Sequence, residues 1–301
     1  MNKLFVNNSG RLRSGWRAAF FLVVFLFVSG LLILAAIAAI SAMPQFGQSI
    51  TGFLPLAVPF TLSATVAILL GWQFGKRLDH VPFEALGCTF HHSWLKNLAV
   101  GSLVGGVAFC SAVIIAVMAG GITLAANSTS AVSAISTTLI TTLLIFAIGA
   151  ASEETLFRGY LLQTFARDNI AFVGVVFTSL LFAFAHNNNP AANVMSFVNT
   201  LLAGAWFAAA YLKTRDLWFP FGVHLVWNWL QGPVFGINVS GIAEFSPDPI
   251  LRATDLGPAW LTGGSYGIEG GIACTLAILI SIGLIYYLPS LKSEPPAVAV
   301  G

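Results

Sequence analysis

A long charge-free stretch of this chain ends abruptly in two adjacent acids. No Asp, Glu, Lys or Arg occurs between Lys96 and Glu153, and the sequence then reads Glu153-Glu154-Thr-Leu-Phe-Arg158. If this stretch crosses a membrane, each ionisable side chain in it costs at least about 2.5–3.5 kcal/mol. Two carboxylates and a guanidinium in such surroundings therefore predict either a structural ion pair or a functional site.

Composition assigns the chain to a membrane. Hydrophobic residues make up 57% of it and charged residues only 8%, whereas soluble domains carry about 25% charged residues. Its mean hydropathy is +0.87, and several windows of roughly 20 apolar residues are long enough to cross a bilayer. We predict an all-α polytopic membrane protein with about eight transmembrane helices around a polar intramembrane cavity. The predicted spans are Trp16–Ile40, Gly52–Phe74, Leu95–Gly120, Thr137–Thr164, Ala171–His186, Val194–Leu212, Trp218–Phe235 and Gly271–Leu288.

Basic residues set the predicted orientation. Arg11, Arg13 and Arg17 stand at the start of the first span, whose apolar run of about 23 residues is too long for a cleaved signal peptide. By the positive-inside rule these residues hold the N-terminus in the cytoplasm. With eight spans the other basic clusters fall on the same side, apart from Arg252. Both termini are therefore predicted to be cytoplasmic, and the 236–270 loop is predicted to face outward.

The chain divides into three predicted regions. Residues 1–94 hold two spans and a polar cytoplasmic connector, residues 95–290 hold the transmembrane core, and residues 291–301 form a disordered tail. We interpret His91 and His92, within the connector, as part of a solvated loop beside the membrane rather than as a ligand site.

Cysteine and glycine spacing add two smaller predictions. Cys88, Cys110 and Cys274 are far apart and form no CxxC pair, which predicts neither a disulfide framework nor a cysteine metal site. Gly101 and Gly105 form a GxxxG pattern in the third span. This pattern predicts that two helices of the chain approach each other closely there.

Helical spacing separates the two adjacent acids. Glu154 and Arg158 are four residues apart and share a helix face, so that each can keep the other ionised in a medium of low dielectric. Glu153 points about 100° away from that face and is available for other work. A purely structural lock between Glu154 and Arg158 is the alternative reading of the pair.

Two histidines lie in apolar spans downstream of the acids. His186 follows Phe182 by one helical turn, and His224 precedes Asn228 by one turn. The fourth, fifth and seventh spans could bring these side chains and Glu153 around a common water-filled pocket. Taken singly, His186 could cap a turn, and His224 with Asn228 could bond two helices together. Their occurrence beside the acid pair favours a hydrolytic site.

Three ordered motifs resemble those of the CPBP intramembrane proteases. This family includes the CAAX prenyl endopeptidases of the Rce1 type and bacterial relatives linked to bacteriocin processing and immunity. The resemblance covers roughly residues 137–235. The motifs are Glu153-Glu154-x-x-x-Arg158, Phe182-x-x-x-His186 and His224-x-x-x-Asn228.

The resemblance implies eight helices around a cavity that opens to the cytoplasm, in a bacterial inner (cytoplasmic) membrane. It also implies endopeptidase activity near a membrane-associated C-terminus. Carried over by position, Glu153 and His186 would activate the attacking water, while His224 and Asn228 would stabilise the oxyanion. Glu154, the acid of the predicted ion pair, is also one of the implied catalytic residues. The implied catalytic residues are Glu153, Glu154, His186, His224 and Asn228.

The sequence leaves the need for a metal open. Glu153, His186 and His224 could supply three zinc ligands with a water in the fourth position, as in a catalytic Zn²⁺ site. They could equally act without metal, as a general base and its partners. The sequence has no HExxH motif, so the usual helix of zinc proteases is absent.

We predict an intramembrane endopeptidase that acts on a membrane-associated protein or peptide, with the bilayer as its surroundings and no nucleic-acid partner. A proton-coupled transporter is one rival, because ionisable groups inside membranes also mark ion pathways. A non-catalytic immunity or scaffold protein is another. The sequence shows no inverted repeats of the kind that transporters carry, and an intact set of Glu, His and Asn side chains argues against a scaffold.

Overall fold

A computed structural model describes residues 4–6, 10–42 and 54–287 of the chain. The start predicted for the second span, at Gly52, and the tail predicted over 291–301 lie outside the described residues. Helices dominate the described part. In chain order they are α1 (Ser14–Ser41), α2 (Leu54–Phe74), α3 (Trp94–Met118), α4 (Val132–Glu154), α5 (Leu162–Arg167), α6 (Ala171–His186), α7 (Val194–Thr214), α8 (Trp218–Trp229), α9 (Ala259–Thr262) and α10 (Ile272–Tyr287).

The helices confirm a polytopic membrane fold. Five helical stretches in the described residues are long and apolar enough to cross a bilayer on their own. α6 and α10 are apolar but have 16 residues each, and α8 has 12, so the count of eight spans stays a prediction. The outer faces are apolar as well; Phe27 of α1 is 67% exposed, as expected where lipid replaces water. The five stretches are Ser14–Ser41, Ala57–Asp79, Trp94–Met118, Val132–Arg167 and Val194–Thr214.

Glycines join α3 and α8 almost backbone to backbone. A Cβ atom on Gly101 would lie 2.2 Å from the carbonyl oxygen of Phe219, and one on Gly105 would lie 2.3 Å from that of Val223. In the opposite direction, a Cβ on Gly222 would lie 2.5 Å from the carbonyl oxygen of Leu98. Small residues permit this approach, and the partner of the GxxxG pattern is therefore a helix of the same chain.

Two π-helical turns lie at the predicted motifs, one that includes Arg158 of the first motif and one directly after the third, and the sequence did not predict them. Thr155–Leu161 are wound as π-helix directly after Glu154, and Leu230–Val234 directly after Trp229. A π turn inserts an extra residue into the helix and is found frequently at functional sites. Each turn here rotates the continuing helix relative to the stretch that carries the motif.

A small sheet adds to the predicted all-α architecture. Strands β1 (Ile122–Ala126) and β2 (Leu251–Asp255) pair antiparallel, with Ile122 opposite Asp255. The pairing ties the α3–α4 connection to the long segment over 236–270, which also contains short 3₁₀ turns. That segment is therefore structured, because its backbone groups are bonded to another part of the chain.

The connector between α2 and α3 packs against the helices, whereas the sequence reading made it a solvated loop. Leu86 is buried, and His91 Nε2 lies 3.0 Å from a carboxylate oxygen of Asp216. The backbone N–H of Leu217 donates to the carbonyl of Gly87 at 2.8 Å. Asp216 and Leu217, far along the chain, thus bond polar groups of the connector. Sequence periodicity does not reveal contacts of this kind.

One end of the helix bundle holds a four-charge network, defined here as Arg17, Asp79, Arg167 and Asp168. Arg17 lies within α1 and is 1% exposed, and it forms ion pairs with both Asp79 and Asp168. Its distance to Asp168 is 2.6 Å, and Arg167 lies 3.3 Å from Asp79. Two cations and two anions thus join three separate elements, and Arg17 has a packing role besides the orienting one.

Candidate active site

One cavity of about 280 Å³ brings the predicted catalytic side chains together. Glu153 of α4, His186 of α6, and His224 and Asn228 of α8 all line it. Glu154 and Arg158 are not among the lining residues and lie behind them. The apolar part of the wall comes from aromatic and aliphatic side chains of α4, α7, α8 and the 236–270 segment, a composition typical of ligand pockets.

Arg158 is completely buried, and two of its three guanidinium nitrogens donate hydrogen bonds. Its Nη1 donates to Glu154 Oε1 at 3.0 Å, and its Nη2 donates to the backbone carbonyl of Gly204 at 3.0 Å. The guanidinium carbon lies 5.0 Å from the ring centroid of Phe182 and 5.1 Å from that of Phe207, which adds cation–π attraction. The i, i+4 ion pair is therefore present, and it links α4 to α7.

Glu154 has a second partner that spacing alone did not predict. His224 Nδ1 lies 2.9 Å from the same Oε1 that binds Arg158. Because a carboxylate only accepts, Nδ1 carries the proton of this bond. The ring stacks on Phe207 with centroids 4.6 Å apart, and its Nε2 lies 3.8 Å from Glu153 Oε2. The buried acid thus orients the imidazole, whose other nitrogen is directed toward the neighbouring acid.

His186 is oriented by its own helix. Its Nδ1 lies 2.8 Å from the carbonyl oxygen of Phe182, one turn earlier. Since the carbonyl accepts, Nδ1–H donates and Nε2 is left as the basic nitrogen of the neutral ring. The Phe182 ring packs on the imidazole with centroids 4.5 Å apart. The Phe-x-x-x-His spacing thus has a physical reason, because Phe182 supplies both a carbonyl acceptor and a packing surface.

Glu153 and Asn228 keep unused polar atoms at the cavity. The side chain of Glu153 is 22% exposed, yet its Oε2 is buried and accepts no hydrogen bond from the described residues. The Asn228 side chain lines the cavity and is only partly buried. A carboxylate oxygen and a carboxamide in this condition can both reach a bound water or substrate.

Sequence reasoning missed a second acid in the same cavity, Glu269. Its Oε2 accepts from the backbone N–H of Ser240 at 2.6 Å and from Ser240 Oγ at 3.0 Å. Asn199 donates to the backbone carbonyls of Glu269 and Gly271, at 2.7 and 2.9 Å. Burial raises the pKa of Glu269, although the bonds from Ser240 oppose that shift. The one available signal was an acid in a glycine-rich run before the last apolar span.

The predicted zinc ligands do not converge. No three His, Cys, Asp or Glu side chains within the described parts of the chain are grouped closely enough to hold a metal ion. Glu153 and His224 approach each other, but His186 forms no ion pair with either acid of the α4 motif among the described contacts. The donor atoms are of the right kind for zinc, whereas their arrangement does not fit it, and zinc binding stays a prediction.

The comparison with known families supports the motif reading. Residues 135–230 match a family model described as type II CAAX prenyl endopeptidase Rce1-like. No curated protein matches the chain. The matched segment contains all three motifs and begins within α4, whereas Glu269 lies beyond it. Together with the polytopic fold, the match shows that residues 135–230 of this chain are similar to a family of membrane proteases.

Proposed function

We propose that the chain is an intramembrane endopeptidase that hydrolyses a peptide bond of a membrane-associated protein or peptide. The observation that carries this proposal is the single cavity shared by Glu153, His186, His224 and Asn228. Three helices contribute these groups, and each group is of a type used in amide hydrolysis. A transporter pathway would not need a carboxylate, two imidazoles and a carboxamide around one pocket.

Glu153 is proposed to be the general base. Its Oε2 has no hydrogen-bond partner among the described residues, so it can accept a proton from a water held in the cavity. His186, with a basic Nε2, would hold and align that water. The water oxygen attacks the carbonyl carbon, and the proton taken up by Glu153 passes to the amine nitrogen as the C–N bond breaks. Such proton transfer typically contributes 10²–10⁴-fold, an order-of-magnitude range.

His224 and Asn228 are proposed to stabilise the oxyanion. They lie one helical turn apart on α8, so an Nε2–H of His224 and the amide N–H of Asn228 can approach one oxygen. The donor role of His224 requires its imidazolium form, with both nitrogens protonated. Donors directed at the developing charge favour the transition state over the substrate.

Glu154 and Arg158 are proposed to position rather than to react. Glu154 Oε1 holds His224 Nδ1, and Arg158 holds Glu154. Bonds of this kind fix the ring orientation and its tautomer, as they do behind many metal and acid–base sites. The predicted catalytic role of Glu154 is thereby narrowed to orienting an imidazole.

Zinc binding is a separate prediction, and it has its own measurement. If Glu153, His186 and His224 rearrange to bind it, the purified protein should contain about one equivalent, and each single alanine substitution should lose it. Elemental analysis reads this directly, without reference to activity. Full cleavage by a metal-free preparation would exclude a zinc-dependent mechanism.

The proposed location is a bacterial inner membrane, with both termini in the cytoplasm. The distribution of Lys and Arg over alternate loops supports it. Reporter fusions after Gly10, within 236–270 and at Gly301 show on which side of the membrane each of these points lies. A cytoplasmic 236–270 segment would overturn this orientation.

A cleavage assay tests the function itself. The purified protein, in proteoliposomes, is incubated with a mixture of peptides derived from membrane proteins, and products are identified by mass spectrometry. We expect new termini with the wild type and none with Glu153→Gln at equal folded yield. Proton uptake into the same vesicles without any cleavage would instead favour the transporter, and the absence of both activities would favour a scaffold.

A further inference from the structure

The charges at the cavity are unbalanced. Glu153 and Glu269 both line it, and within the described residues no Lys or Arg does. The two histidines are the only other ionisable groups of possible positive charge in the lining. A substrate that enters the cavity therefore meets two carboxylates and, with His224 in the imidazolium form proposed above, one cation, so that negative charge is in excess.

Arg158 does not compensate for this imbalance. It is 0% exposed and lies behind the cavity wall, bonded to Glu154 and to the carbonyl of Gly204. Aromatic rings cover its remaining surface. It donates to one acid, Glu154, and brings no cationic group into the lining, which holds the other two acids.

Glu269 is built into its place. Ser240 holds the carboxylate with two donors, and Ser240 itself has a left-handed backbone, with a φ of 49°. The surrounding segment is tied down further, since the N–H of Gly241 donates to the carbonyl of Tyr266 at 2.8 Å and Asn199 donates to the backbone carbonyls of Glu269 and Gly271. A carboxylate fixed in this way cannot swing out of the cavity when a substrate arrives.

The small size of the cavity makes these charges decisive. At about 280 Å³ it is at the lower end of ligand pockets, so a group held inside shares a small volume with both lining acids. We propose that Glu269, acting with Glu153, excludes a free substrate carboxylate, so that the protein cleaves peptide bonds whose C-terminal side continues beyond the cavity or is uncharged. The inference rests on the proposed peptidase function and names its substrate class.

Nested synthetic peptides test this exclusion. A peptide cleaved by the wild type is shortened to leave one, two, three or six residues after the scissile bond, and each length is made with a free carboxylate and with a carboxamide. For one or two residues, kcat/KM should favour the amide by about tenfold or more, since like charges repel strongly in an enclosed site. With six residues the preference should vanish.

Substitution of Glu269 tests whether this residue causes the preference for amide over free-acid peptides. Glu269→Gln should reduce the amide preference for short peptides at least about threefold, by removing one of the two charges. Glu244→Gln is the matched control, because Glu244 is an exposed acid of the same 236–270 segment. It should leave the preference unchanged. The wild-type comparison stands even if Glu269→Gln fails to fold.

A pH series adds an independent measurement. Because burial raises the pKa of Glu269, its charge is lost at a higher pH than in an ordinary glutamate, and the amide preference should decline as pH falls. Glu269→Gln should flatten this decline. Tyr266 stays neutral throughout, since its burial raises its pKa to about 12. The titratable groups that face or surround Glu269 are His186, Tyr266, Cys274, Glu153 and His224.

The outcomes separate the two proposals. Equal cleavage of short acids and amides by the wild type, still abolished by Glu153→Gln, would overturn the exclusion and leave the peptidase intact. Faster cleavage of the free acids would overturn it as well. Absence of any Glu153-dependent cleavage would overturn the proposed function and, with it, this inference.

Discussion

Arg17 and Arg158 are both buried guanidinium groups among apolar helices, yet their surroundings differ in one respect. Arg17 belongs to the four-charge network, in which two cations meet two anions, and none of its four members lines the cavity that holds Glu153. Arg158 meets one acid, and that acid also holds a histidine that lines a cavity. In the first arrangement the charges pair with one another, whereas in the second the paired acid also orients a histidine at the cavity.

The difference teaches that buried charge alone does not mark a functional site in this protein. Both clusters are paired as low dielectric requires. What distinguishes the second is its position at a cavity, where Glu153 Oε2 accepts no hydrogen bond from the described residues and the side chain of Asn228 is half-buried. Substitutions in the network should therefore change stability, and substitutions around the cavity should change rate.

The largest expected effect separates the adjacent acids. Glu153→Gln should lower kcat by about 10²–10⁴-fold with normal folded yield, because the general base is lost while the packing is kept. Glu154→Gln should retain more activity but misorient His224. Single-turnover rates per folded molecule measure both. Equal losses in the two variants would remove the proposed division between base and positioning acid.

The next effect compares the two arginines. Arg158→Ala and Arg17→Ala should each destabilise the fold by about 3–5 kcal/mol, because a buried acid loses its counter-charge. Denaturation in detergent, with fluorescence or helical signal as readout, measures this loss. The surviving folded fraction of Arg17→Ala should have normal kcat, whereas that of Arg158→Ala should not. Normal kcat in both variants would show that the ion pair of Glu154 and Arg158 has only a structural role.

A smaller effect is expected at Asn228. Asn228→Ala should lower kcat by about 10²–10³-fold with little change in KM, as for the loss of one oxyanion donor. Asn228→Asp should be worse, since a carboxylate would repel the developing charge. If Asn228 only bonds helices together, the yield would drop while kcat per folded molecule stayed constant.

The smallest effect lies in the network. Asp168 is 24% exposed, and Arg17 keeps Asp79 when it is lost. Asp168→Asn should therefore cost about 1 kcal/mol or less and leave kcat unchanged. A clear loss of rate per folded molecule would show that the network reaches the cavity, and the contrast between the two regions would fail.

The sequence predicted whatever depends on composition and on spacing within one helix. Apolar runs located the helices, and the four-residue step from Glu154 to Arg158 gave their ion pair. Contacts between distant segments were not predictable in this way. The pairing of Arg17 with Asp168 and the approach of Glu269 to the cavity depend on tertiary packing, which leaves no periodic signal in either segment. The roles assigned to the cavity residues are still predictions.

The glycine contact between α3 and α8 has a consequence for how this protein can vary. Gly101 and Gly105 supply no group to the cavity, yet their missing side chains set the position of the helix that carries His224 and Asn228. Even an added methyl group would collide with backbone carbonyls that cannot rotate away, and α8 would have to shift as a body. The substitutions that the site tolerates are thus limited by α3, a helix that supplies no catalytic group. Within α3, we expect Gly101 and Gly105 to tolerate the fewest substitutions.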